Sequence, residues 1–123
     1  MPAHVLVVED SVTQATRLQL ELQRCQVQVT VARTGRDGLV AARRLLPDAI
    51  VLDIELPELD GYAVCRTLKE DPLTCHIPIV MLTSYDKAND TLKGLQLGAI
   101  DYIPKDSFAN ENVIASLRQL GVV

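Results

Sequence analysis

The chain has 123 residues, enough for one domain that buries a core without disulfides or a structural metal. At 48% hydrophobic residues it is not a disordered tail. With 12 basic against 16 acidic side chains, and Arg43-Arg44 as the longest positive run, it has no basic patch with which to hold a nucleic-acid backbone.

From the N-terminus, the apolar run Val5–Val8 predicts a first strand, cut off by Glu9-Asp10. It is too short for a signal peptide or a membrane span, so a cytoplasmic protein that makes no membrane contact is expected. Val12, Ala15, Leu18, Leu22 and Cys25 then step at helical spacing and predict one apolar helix face. Val27–Val31 is a second strand whose alternation suits a sheet edge. Leu39, Ala42 and Leu46 mark a second helix, and Ala49–Leu52 a third strand apolar enough to be central. A shorter helix is expected over Gly61–Glu70, ended by Asp71-Pro72, because proline disfavours helix in the residue before it. Ile77–Leu82 is the fourth strand, Ala88, Leu92 and Leu95 the fourth helix, Ile100–Ile103 the fifth strand, and Val113, Leu117 and Leu120 the fifth helix. Cys25, Cys65 and Cys75 are scattered without zinc-ligand spacing, which fits free thiols in a reducing compartment.

Strands alternating with helices predict an α/β fold with a parallel sheet covered on both faces. Among topologies with right-handed crossovers, the flavodoxin-like order 2-1-3-4-5 puts the alternating second strand at an edge and the first and third side by side. The expected architecture is thus a (βα)5 three-layer sandwich in a single domain over 1–123, with no output domain.

In such sheets the site lies beyond the carboxyl ends of the strands, where the order reverses. Here that point collects Glu9, Asp10 and Asp53, with Glu55, Glu58 and Asp60 in the loop that follows. Crowded carboxylates repel and raise one another's pKa unless a cation sits among them. Magnesium, which accepts a few carboxylates and keeps several waters, fits the need, with manganese as its substitute. Asp10 or Ser11 also has a plain structural role available, as cap of the first helix. Asp53 ends an apolar central strand, where acids are seldom placed. Thr83 ends the fourth strand and Lys105 follows the fifth, on the same rim. Together these groups suit phosphoryl transfer: Asp53 as nucleophile, a metal and Lys105 to neutralise charge, Thr83 as hydrogen-bond donor.

Val7-Val8-Glu9-Asp10-Ser11, Ile50-Val51-Leu52-Asp53, Leu56-Pro57-Glu58-Leu59-Asp60-Gly61, Ile79-Val80-Met81-Leu82-Thr83-Ser84 and Gly98-Ala99-Ile100-Asp101-Tyr102-Ile103-Pro104-Lys105 together resemble the CheY-like receiver domain of bacterial two-component response regulators. The resemblance covers the whole chain. It implies Asp53 as phosphoacceptor, Asp10 as direct metal ligand, Glu9 as its acidic neighbour and the Glu55 main-chain carbonyl as a further ligand. It implies Thr83 as switch hydroxyl, Lys105 as the phosphoryl-binding lysine and Tyr102 as the aromatic that turns inward when the threonine moves. It implies that Glu55 and Tyr85 tune the phosphoryl lifetime, here to minutes or longer. The phosphodonor would be a sensor histidine kinase or a histidine phosphotransfer protein. The output would be a protein target on the face of the fourth helix, fifth strand and fifth helix. The sequence departs from the family after Lys105, where proline, often cis, is usual. Here Asp106 follows, and a non-proline cis bond costs about 3 kcal/mol.

Three rivals remain at this stage. Ser11-Val12-Thr13-Gln14-Ala15-Thr16 has the hydroxyl spacing of a flavin-phosphate loop, pointing to an FMN-binding electron carrier. Against it, Glu9 and Asp10 would repel the phosphate, and ring-stacking residues are scarce. Asp53-Ile54-Glu55 loosely matches the acidic motif of an aspartate-nucleophile phosphatase, but little length is left for a cap. A receiver fold kept only as a docking module would not need the full set of Glu9, Asp10, Asp53, Thr83 and Lys105.

Overall fold

The computed structural model describes residues 2–83 and 96–123. Their elements run β1 (His4–Val8), α1 (Val12–Arg24), β2 (Gln28–Ala32), α2 (Gly35–Leu45), β3 (Ala49–Asp53), α3 (Gly61–Glu70), β4 (Ile79–Thr83), β5 (Asp101–Pro104) and α4 (Ala109–Gln119). The helix expected around Ala88, Leu92 and Leu95 lies outside the described residues. α4 is the helix expected last in the chain.

The five strands form one parallel sheet, as the alternation of elements predicted, in the expected flavodoxin-like order β2-β1-β3-β4-β5. β3 and β4 are buried along their whole length, and β2 is the partly exposed edge. Side chains alternate across the pleat, so each strand feeds two cores. On one face Leu6, Val8, Ile50, Leu52, Ile79 and Met81 meet Ala41, Ala42, Val64 and Leu68 of α2 and α3. On the other, Val5, Val7, Val51, Val80, Leu82 and Ile103 meet Leu18, Leu22, Val113 and Leu117 of α1 and α4. The result is the expected three-layer sandwich.

Helix starts are set by capping. Ser11, Thr34 and Asp60 accept hydrogen bonds from Gln14 N, Asp37 N and Ala63 N, at 3.3, 3.0 and 2.9 Å. α3 ends at Asp71, which is extended as the residue before Pro72 must be. The apolar spacing misplaced some side chains. Val12 is exposed because it stands at the first turn of α1, beyond the reach of the sheet, and Ala15, Leu18 and Leu22 make the buried face. In α2 the buried face is small: Gly35, Gly38, Ala41 and Ala42. A Cβ on Gly38 would lie 2.9 Å from a Val8 methyl, so the helix rides directly on β1. Leu46, expected on that face, is instead the exposed left-handed residue after the helix, and Leu120 is likewise an exposed cap. None of the described helices is long and apolar enough to cross a membrane.

Candidate functional site

The strand ends converge where the sheet order reverses, between β1 and β3. Glu9 follows β1, and its N–H donates to Ala32 O at 3.0 Å, which ties the β1 end to β2. Asp53 is the last residue of β3, and Ile54 N–H donates to Leu82 O at 2.9 Å, which ties the β3 end to β4. Lys105 N–H donates to Thr83 O at 2.6 Å, which fixes the lysine beside the end of β4. Glu9, Asp53 and Thr83 are each almost wholly buried, whereas Asp10 is exposed. One oxygen from each of Glu9, Asp10 and Asp53 lies within 4.8 Å of the others. The Lys105 ammonium sits 2.7 Å from Asp53 Oδ2 and 3.5 Å from Glu9 Oε1. Asp53 Oδ1 accepts the Glu55 N–H at 3.0 Å. Asp53 Oδ2 is buried, and its close contact is that ammonium.

The electrostatics follow from this crowding. Burial first, then the neighbouring Asp53 carboxylate, pushes Glu9 up from 4.5 to about 8. Burial alone would lower the Lys105 ammonium, but Asp53, Glu9 and Glu55 together outweigh it and hold it above its ordinary value. Folded chain therefore keeps a proton on Glu9 between about 4.5 and 8, where unfolded chain has released it. The contribution to stability is complete below about 4.5 and disappears as pH rises through about 8. Metal-free protein in chelator is expected to show a falling urea midpoint across that window, and Glu9→Gln to flatten it. An unchanged slope in the variant would show that Glu9 is not the group responsible.

Tyr102, on β5, is half-buried and packs on the α2–α3 core. Glu55 is exposed, and Tyr85 lies outside the described residues. Of the expected output face, β5 and α4 are described. A groove of about 290 Å³ runs between them, lined by Asp101, Tyr102, Pro104, Asn112 and Gln119.

No described peptide bond is cis, so the Lys105–Asp106 link is trans. Asp106 has its own work: its Oδ1 accepts the Phe108 N–H at 2.8 Å, and its carbonyl accepts the Ala109 N–H at 3.1 Å. Phe108 itself gives α4 no side-chain cap, so Asp106 starts the helix from two residues upstream. Asp106→Ala is expected to lower stability by about 1 kcal/mol, read from urea unfolding.

Two features escaped the sequence reading. Gln14 and Arg17 line a cleft of about 220 Å³ with Glu9, Lys105, Ser107 and Asn110, between α1 and the start of α4. Their spacing of three on the polar side of α1, next to Asp10, was the available signal. Gly61 is the other: a Cβ there would lie 2.6 Å from the Ile54 Cα and closer still to the Asp53 carbonyl oxygen. Glycine at 61 therefore lets α3 start against the end of β3.

Comparison with known proteins agrees with this geometry. The family model "Response regulator receiver domain" matches residues 5–118. Response regulator PleD of Caulobacter vibrioides is 42% identical over 105 residues, which make up 85% of this chain and 23% of PleD. Protein PilH of Pseudomonas aeruginosa is 37% identical over 84% of this chain and 85% of its own length. The chain spans about half or less of several other relatives, among them PhoP of Bacillus subtilis, 43% identical over 43% of that protein. Among solved structures, a putative response regulator from Chloroflexus aurantiacus superposes with a TM-score of 0.90 at 32% identity, covering 98% of both chains. Vibrio cholerae CheY4 gives 0.89 at 26% identity, covering 98% of this chain and 99% of that one. These matches give no support to the flavin-carrier reading. The chain belongs to the receiver-domain family of two-component response regulators.

Proposed function

We propose that this receiver domain takes a phosphoryl group onto Asp53 and passes the change to a protein partner. One observation carries the reading: Asp53 is buried at the end of a central strand, 2.7 Å from the Lys105 ammonium and beside the Glu9 and Asp10 carboxylates. Three carboxylates with oxygens within 4.8 Å of one another fit a hard divalent cation. Glu9, Asp10, Asp53 and the Glu55 main-chain carbonyl would hold magnesium or manganese, which when bound neutralises charge on the phosphoryl oxygens.

A carboxylate oxygen of Asp53 attacks phosphorus and forms the new P–O bond. The bond from phosphorus to its donor breaks, and the leaving nitrogen of a phosphohistidine takes the electron pair. Lys105 offsets the negative charge that gathers on the phosphoryl group, and the Thr83 hydroxyl donates to one of its oxygens. Thr83 and Tyr102 then relay the change to the groove along β5 and α4, a local charge event read by a two-state element. The donor is a sensor histidine kinase or a histidine phosphotransfer protein, in a cytoplasmic setting that suits the three free thiols. Glu55 and Tyr85, two residues after Asp53 and two after Thr83 in the chain, set the phosphoryl lifetime.

Incubation with acetyl phosphate and magnesium, followed by intact mass, tests this. Wild type is expected to gain one phosphoryl group and Asp53→Ala none. No gain in wild type, or a gain that survives in Asp53→Ala, would overturn the assignment.

A further inference from the structure

Two tyrosine hydroxyls meet on the α3 side of the sheet. Tyr62, the second residue of α3, and Tyr102, on β5, have hydroxyl oxygens 3.4 Å apart, and either can donate. Both rings are half-buried and pack on the same apolar cluster. Such a bond is ordinarily about 2.5–3.0 Å long, so this contact is weak and opens or tightens at small cost.

Each tyrosine is joined to the acidic site by a short covalent arm. Tyr62 follows Gly61, whose N–H donates at 2.9 Å to the carbonyl of Ile54, the neighbour of Asp53. Tyr102 stands shortly before Lys105, whose ammonium meets Asp53 and whose N–H meets the Thr83 carbonyl. Met81 is the register partner of Tyr102, so Thr83 lies one pleat further along the same face. Backbone hydrogen bonds thus join the segments that carry both tyrosines to Asp53, Thr83 and Lys105.

We propose that the Tyr62 hydroxyl is a latch that holds the Tyr102 ring against α3 and thereby sets how readily the switch closes. This rests on the reading of Asp53 as phosphoacceptor and Tyr102 as its switch aromatic, and it names a regulator of that site. Tyr62 is a positioning residue, acting through Tyr102. By linkage, a group that favours the held ring also favours binding at Asp53 of whatever the held ring favours.

The test uses the full chain with ring-fluorinated tyrosine. The sequence has three tyrosines, Tyr62, Tyr85 and Tyr102, so each fluorine resonance is assigned by one Tyr→Phe variant. Tyr62→Phe keeps the ring and removes the hydroxyl. It is expected to move the Tyr102 resonance toward that of free tyrosine before any ligand is added. It is also expected to raise the half-saturating concentration of beryllofluoride, with magnesium present, by about threefold, the loss of one weak hydrogen bond. Adding Tyr62→Phe to Tyr102→Phe is expected to raise it no further. A merely structural Tyr62 would lower the melting temperature and leave the Tyr102 resonance and the half-saturation as in wild type, and that result overturns the latch. The Asp53 reading fails separately, by absent mass gain from acetyl phosphate, while the Tyr102 resonance of ligand-free Tyr62→Phe still reports on the hydroxyl contact.

Discussion

Lys105→Met is expected to slow phosphoryl uptake from acetyl phosphate by about a hundredfold or more, the usual effect of removing a preorganised charge from the transferring group. The same change removes the cation 2.7 Å from Asp53 and 3.5 Å from Glu9. Methionine fills much of the space of the lysine stem, so packing is nearly kept and the charge is what goes. A buried carboxylate left without its partner costs about 3 kcal/mol. The loss should therefore appear in urea unfolding of metal-free protein and shrink when magnesium is added, because a bound cation restores the missing positive charge. Equal losses with and without magnesium would mean that the lysine acts through packing alone, and a wild-type rate of uptake would remove it from the site.

The strands were legible because a central parallel strand is buried on both faces: Ala49–Leu52 is a run of apolar residues with no other reading. The edge position of β2 was legible from its alternation for the same reason. The face of α2 was not. Gly35, Gly38, Ala41 and Ala42 are buried because the helix lies so near β1, and small residues leave little trace in an apolar periodicity that Leu39 and Leu46 dominate. At the site, Asp53, Thr83 and Lys105 could be placed from strand ends alone. Which of two adjacent acids turns inward could not: Glu9 is buried and Asp10 exposed, a choice made by the direction of the chain as it leaves β1 for the Ser11 cap. The link from Tyr62 to Tyr102 spans α3 and β5, so it exists only once the chain is folded.

Gly61→Ala is expected to destabilise the fold by about 3 kcal/mol, although helix propensity and the entropy of the unfolded chain both favour alanine there, together by about 1–2 kcal/mol. The sign is decided by what the new methyl meets. At Gly61 it would lie 2.6 Å from the Ile54 Cα and closer to the Asp53 carbonyl oxygen, both backbone atoms. Those atoms are pinned, since Ile54 N–H donates to Leu82 O and Gly61 N–H donates to Ile54 O, each at 2.9 Å. At Gly38 the methyl would meet only Val8 side-chain carbons at 2.9 Å and 3.0 Å, and a small tilt of α2 relieves that. Gly38→Ala is accordingly expected to cost less, about 1 kcal/mol. The two variants should also separate in chemistry. Only Gly61→Ala forces the Asp53 peptide to move, so only it should slow phosphoryl uptake under conditions where both proteins remain folded. Equal urea midpoints for Gly61→Ala and wild type would mean that α3 can start elsewhere, and that its packing against β3 does not hold Asp53 in place.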